Sequence, residues 1–215
     1  QARSVMKRLA ELGLPLDPWE IENLEFSLQK PEAQTAIGAI QQVLDAHVLI
    51  SLSVSVEGEI KAAAGPALTY VPAGGWGTFL IKVDNIPRQS APLQIESPNA
   101  LEPAGQPTFE RWMRFKVWPE GSMLSGERAD YFLLHVQSAE KGRREALFAF
   151  SSGLRAMQPP GPLSYNRIPI LFQILTEPEI TRAKLAHLLR HQHGSAYLAA
   201  PRRRGPPLVS IPPSS

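Results

Sequence analysis

The sequence predicts a mainly β protein: an antiparallel, immunoglobulin-like β-sandwich with a helical segment before it and a single helix after it. Three observations carry this. Between Ala46 and Leu175, apolar and polar residues alternate in about seven or eight short segments. Polar or Gly-containing turns separate those segments. On both flanks the apolar spacing becomes helical instead. Alternation marks strands buried on one face, whereas a parallel α/β sheet gives continuous apolar runs. The resulting divisions are residues 1–45, a helical N-terminal extension; 46–175, the sandwich; 176–200, a C-terminal helix; and 201–215, a Pro/Arg-rich tail.

In the extension, Val5, Met6, Leu9 and Leu12 recur at helical spacing until Gly13, Pro15 and Pro18 interrupt them. Trp19, Ile21, Leu24, Phe26 and Leu28 form a second apolar cluster on a short helix. Pro31 suits the first turn of a third helix, whose apolar set is Ala36, Ile37, Ile40, Val43, Leu44 and Val48. From Ala46 the period becomes two. Ile50, Leu52, Val54 and Val56 alternate with Ser51, Ser53 and Ser55, and Glu57-Gly58-Glu59 follows as a turn. Leu68 and Tyr70 indicate a short strand. Gly74-Gly75-Trp76-Gly77 leads into Thr78 to Val83, and residues 92–96 make a further strand. After a loop at 97–108, Met113, Phe115 and Val117 point inward, with Trp112, Arg114, Lys116 and Trp118 outward. Strands are expected at Ala129 to Gln137, at Glu145 to Ser151 after the turn at 140–143, and at Ile168 to Leu175. Thr176 and Glu179 form a capping box with Pro178 in the first turn. That helix carries Ile180, Leu185, Leu188 and Leu189 and is expected to stop near His193, before Gly194.

The composition limits the chemistry. The 215 residues contain no cysteine, which excludes disulfides, thiolate metal sites and cysteine nucleophiles. No stretch reaches the ~18 apolar residues of a membrane-spanning helix. The 21 prolines belong in turns, edges and the tail. Net charge is +2, but Arg182, Lys184, Arg190, Arg202, Arg203 and Arg204 stand after residue 180 with no acidic residue, leaving the first 180 at −4. Such a tail suits peripheral contact with an anionic surface. Nothing beside it reads nucleic-acid bases, so nucleic acid is not expected as a partner. The chain begins with Gln1 and Ala2, which fits a product whose leader has been removed. A periplasmic or secreted location is the expectation.

No catalytic constellation stands out. His187 and His191, four apart, lie on one helix face with His193 near the helix end, the one candidate metal group. The glutamate of an HExxH site is missing, and a polar helix face is the simpler account of the three. His135 lies on the polar side of its strand and His47 at a helix–strand junction. Ser122, Ser125 and Asp130 stand near His135 in sequence, without a GxSxG turn. Glu57 and Glu59 lack the ligand ladder of a calcium loop. Gly74-Gly75-Trp76-Gly77 lacks the lysine of a phosphate loop and reads as a tight strand entry. The candidate binding residues are Trp112, Arg114, Lys116 and Trp118, with Arg202, Arg203 and Arg204 in the tail. An outward stripe of tryptophan and basic residues can bind sugar, nucleic acid or protein, or be covered by a flanking helix; coverage is the simpler expectation.

AIQQVLDAHVLISLSV, the AAAGPA run at 62–67, GWGTFLIKVDN, APLQIESPNA, LSGERADYFLLHVQSAEKGRREALFAF and SSG occur in order between Ile40 and Gly153 or just before. This stretch resembles the β-rich accessory domain that precedes the catalytic region in secreted, planctomycete-type proteins of the CehA/McbA metallohydrolase family. The resemblance implies export and a β-sandwich with a preceding helix. It brings no catalytic residue, because the metal of that family would be held by a downstream hydrolase domain. The expectation is a non-catalytic protein-interaction or structural subunit domain of a larger exported assembly, needing no cofactor. The alternative is a carbohydrate- or substrate-binding accessory module of a hydrolase system.

Overall fold

The computed structural model describes residues 18–29, 33–101, 110–153 and 166–198. The chain divides into two units, Gln1–Glu177 and Pro178–Ser215. Among the described residues, the first holds two helices, α1 (Pro18–Leu28) and α2 (Ala33–Asp45), and ten strands. These are β1 (Val48–Val54), β2 (Ile60–Ala64), β3 (Tyr70–Pro72), β4 (Trp76–Asn85), β5 (Ser90–Glu96), β6 (Arg114–Trp118), β7 (Met123–Ser125), β8 (Ala129–Gln137), β9 (Gly142–Ser152) and β10 (Arg167–Leu175). One sheet runs β2-β1-β4-β8-β6, the other β3-β10-β9-β5-β7. The fold is the expected β-sandwich. Its seams are antiparallel except β1–β4 and β3–β10, which are parallel. From β2 to β8 the chain changes sheet at every step, so neighbours in a sheet are rarely neighbours in sequence.

The core follows the alternation. Ile50, Leu52 and Val54 of β1, Phe79, Ile81 and Val83 of β4, and Phe132, Leu134 and Val136 of β8 face inward from the first sheet. Ala146, Phe148 and Phe150 of β9 and Ile170, Phe172 and Ile174 of β10 meet them from the second. Phe172 joins the halves, with ring centroids 5.6 Å from Phe79, 6.0 Å from Trp112 and 6.4 Å from Phe148. These separations suit edge-to-face attraction.

A second apolar layer lies on the outer face of the first sheet. Leu44 of α2 packs with Val48, Leu80 and Leu133, and with the half-buried Ile40, Trp118 and Tyr131. Three polar contacts fix the helices. Lys82 Nζ donates to Asp45 Oδ1 at 2.8 Å and Oδ2 at 2.7 Å, and Tyr131 Oη donates to Asp45 Oδ1 at 2.9 Å. Glu20 of α1 is buried and pairs with His47 Nε2 at 2.8 Å, tying α1 to the turn before β1. Gly65 permits a close crossing, since a Cβ there would stand 2.0 Å from the Val48 carbonyl oxygen.

The structure departs from the sequence reading at several points. Strands β2 and β7 were not expected. β1 ends at Val54, and Val56 lies in the turn, 71% exposed. Ser55 makes that turn, its hydroxyl accepting from the Glu57 and Glu59 N–H groups, and Gly58 takes φ 77°. Strand β9 begins at Gly142, inside the expected turn. Helix α3 (Glu177–Leu198), all of it beyond Glu177 in the second unit, starts just after Thr176 but runs through Gly194. Among the described residues, no helix is long and apolar enough to cross a membrane. The stripe at Val5 to Leu12 and the tail at 201–215 lie outside the described residues.

Candidate binding surface

The outer face of β4, β8 and β6 is built as cross-strand rungs. The registers align Trp76 with Gln137 and Arg114, and Thr78 with His135 and Lys116. The next rung is Leu80, Leu133 and Trp118, and the last is Lys82 with Tyr131. All share the parity opposite to the core. Helix α2 covers the third rung, and its Asp45 holds the fourth. The first two rungs therefore form the open part of this face.

Their side chains touch one another. Lys116 Nζ lies 5.5 Å from the Trp76 ring centroid, within cation–π range. The Trp76 and His135 rings meet edge to face at 6.4 Å. His135 Nδ1 and Thr78 Oγ1 are hydrogen-bonded at 3.1 Å. Gln137 Nε2 donates to the Gly74 carbonyl at 3.0 Å, and Gly74 itself takes φ 78°. The glycine run thus turns the chain into β4 and delivers Trp76 to the surface, where it is 40% exposed. Burial, and then the Lys116 charge, lower the His135 pKa from 6.5, so the imidazole favours its neutral form. Arg114 and Lys116 are exposed, and neither has an ion pair among the described residues. The result is an aromatic plate, a neutral imidazole and two cations on one face of the sheet. It can hold an anionic or aromatic group.

Only part of this was anticipated. Arg114 and Lys116 point outward as expected, but they are exposed rather than covered by a flanking helix. Trp118 shares their parity but packs into the layer beneath α2. Trp112 is a correction: it is buried in the core, and its Nε1–H donates to the Glu145 carbonyl at 3.0 Å. The cause is local. The N–H groups of Trp112 and Met113 both point to the Asn99 carbonyl, at 3.1 and 3.3 Å, as two residues do opposite one in a bulge. Both side chains then enter the core, and alternation restarts at Arg114. Trp76, expected at the tight entry to its strand, stands in the tryptophan position of the open face. Its parity with Lys82 is a usable signal, but the register that sets it beside Lys116 is not written locally.

The other sequence candidates do not converge. Asp130 accepts from the Ser125 backbone N–H at 3.2 and 3.3 Å, while Ser122 Oγ donates to the Pro119 carbonyl at 3.3 Å. Neither meets His135, whose hydrogen-bond partner is Thr78. Of the histidine group on α3, the described side chain is His187, which is half-buried; the side chains of His191 and His193 lie outside the described residues. Among the described residues, no three His, Asp or Glu side chains are grouped to hold a metal ion. Arg202, Arg203 and Arg204 also lie outside them.

No family model and no curated protein matches the sequence. Solved structures with some similarity include domains 4 and 5 of the S-layer protein SbsC, 10% identical with a TM-score of 0.30 over 55% of this chain and 59% of that one. The longer fragment rSbsC(31-844) is similar at the same identity and score, over 54% of this chain and 14% of that one. The ASH / PapD-like domain 7 of human CEP192 is 10% identical with a TM-score of 0.29, over 51% and 82%. At such scores these likenesses say nothing about what this chain binds.

Proposed function

We propose that this chain is a non-catalytic interaction domain, a structural subunit of a larger exported assembly, and that the two open rungs of the first sheet are its binding surface. The supporting observation is the cluster of Trp76, Arg114, Lys116 and His135 on the part of the face that α2 leaves uncovered. An exposed tryptophan beside cations that have no ion pair among the described residues is the residue mix of interface hot spots, where aromatic and Arg side chains dominate the energy. The helices serve the same reading: α2 covers the neighbouring rungs and so limits the open area to this patch.

The test is native mass spectrometry of the untagged chain recovered from its own cells, for the wild type, Trp76→Ala and the double variant R114E/K116E. A stoichiometric complex that both variants lose, with unchanged circular dichroism, is the expected result. A complex untouched by either variant sinks this placement of the surface. A second reading, a carbohydrate-binding module, is favoured by Trp76, whose ring can stack on a sugar. It predicts glycan-array binding that Trp76→Ala abolishes.

A further inference from the structure

Helix α1 is turned inside out. Its polar Glu20 and Ser27 are each 4% exposed, on the buried side with Leu24. Its Trp19 is 57% exposed and its Phe26 64%. The reason lies in the contacts: Glu20 is drawn inward by His47, and the Ser27 hydroxyl donates to the Asn23 carbonyl at 2.7 Å. Trp19, Glu22 and Phe26, spaced i, i+3 and i+7, then share the outward face, with exposed Glu25 beside them. Neither Glu22 nor Glu25 has an ion pair among the described residues. An exposed stripe of one indole and two carboxylates needs a partner that offers apolar surface and positive charge.

The same chain carries that partner. Arg114 and Lys116 flank Trp76 on the open rungs. Two carboxylates and an indole match a guanidinium, an ammonium and an indole. Among the described residues the match is not made within one molecule: Lys116 lies over Trp76, and Glu22 and Glu25 have no ion pair. Resting on the reading of the rungs as an interaction surface, we propose that they receive the Trp19–Glu22–Glu25 face of α1 from a second copy of this chain. Self-association follows, whether the contact is exchanged mutually in a dimer or repeated head to tail. The contact is partly electrostatic, so it strengthens as salt is lowered.

Charge reversal tests this on the intact chain. Sedimentation velocity over a concentration series gives the self-association constant, and circular dichroism checks that each variant is folded. E22K/E25K alone and R114E/K116E alone should each weaken self-association at least about tenfold, because like charges then face each other. An equimolar mixture of the two variants, and the fourfold variant carrying all four changes, should recover it. A wild type monomeric at every concentration overturns the proposal, and so does a mixture that stays monomeric. If the wild type is monomeric yet the chain is recovered with a different protein through Trp76, the interaction reading stands and the second copy is excluded. If neither association is found, both fall.

Discussion

Trp112 and Asn99 hold the start of β6 from two sides. The Asn99 side chain donates to the Glu110 carbonyl at 2.8 Å and accepts from the Leu147 N–H at 2.9 Å, while its own carbonyl receives Trp112 and Met113. One buried amide thus joins the loop after β5, the approach to β6 and the middle of β9. Trp112 fills the space this creates, against Phe172. Trp112→Ala should therefore cost about 3–5 kcal/mol of stability, as for large aromatic truncations in cores. Trp76→Ala, on the open face, should cost about 1 kcal/mol or less. Urea unfolding of both variants checks this; equal losses would contradict the different places given to the two tryptophans. His135 supplies a pH dependence. Its folded pKa lies below its ordinary 6.5, so the unfolded chain takes up the proton first as pH falls. The stability contributed by the neutral ring is complete above about 6.5 and is lost as pH drops through that value toward the folded pKa. Below it, imidazolium repels Lys116. The thermal midpoint of the wild type should fall between about pH 7 and about pH 5 more than that of His135→Gln. Parallel curves would refute the assignment.

At the scale of elements, α2 decides what the first sheet can offer. A strand row alternates faces automatically, but only a covering helix determines which outward residues are buried. Leu44 supplies the apolar contact, and the Asp45–Lys82–Tyr131 cluster fixes the helix end. Burial first, and then the hydrogen bond and charge of Asp45, push the Tyr131 pKa far up, so the phenol stays a donor at any ordinary pH. The Asp45–Lys82 pair is partly exposed, with side chains 42% and 26% accessible, and screening keeps its contribution near 1 kcal/mol or below. Leu44→Ala removes a buried side chain and should destabilise by about 2–5 kcal/mol. It should also uncover Trp118, which a red shift and increased acrylamide quenching of tryptophan fluorescence would report. A Leu44→Ala spectrum identical to the wild type would show that α2 does not cover this rung.

The whole molecule is defined by its crossings. Since the chain alternates sheets from β2 to β8, most strand pairs close long loops before any contact rewards them. Refolding from denaturant should accordingly fall in the millisecond-to-second range, roughly that of sandwiches and other non-local folds. Stopped-flow tryptophan fluorescence measures it, and a microsecond phase carrying the full amplitude would contradict this topology. The crossings also bring Arg114 and Lys116, from the edge strand β6, beside Trp76, from the central strand β4, with β8 between them.

The sequence by itself determined the sandwich, because alternation is a local property: each strand of the type Ile50-Ser51-Leu52-Ser53-Val54 declares its buried face without reference to its neighbours. It likewise placed Phe132, Leu134, Val136, Phe148 and Phe150 in the core, and started α3 after Thr176. Strands β2 and β7 were not legible, since IKAAA and MLS are short and lie at sheet edges with weak or partial alternation. The inward turn of Trp112 was decided by the Asn99 carbonyl, which breaks parity for one residue through a contact thirteen positions away. The open surface was decided by register and cover together. Which cation stands beside which tryptophan depends on the pairing of β4, β8 and β6, and which tryptophan remains exposed depends on where α2 lies. Both are long-range packing outcomes, and no local pattern encodes them.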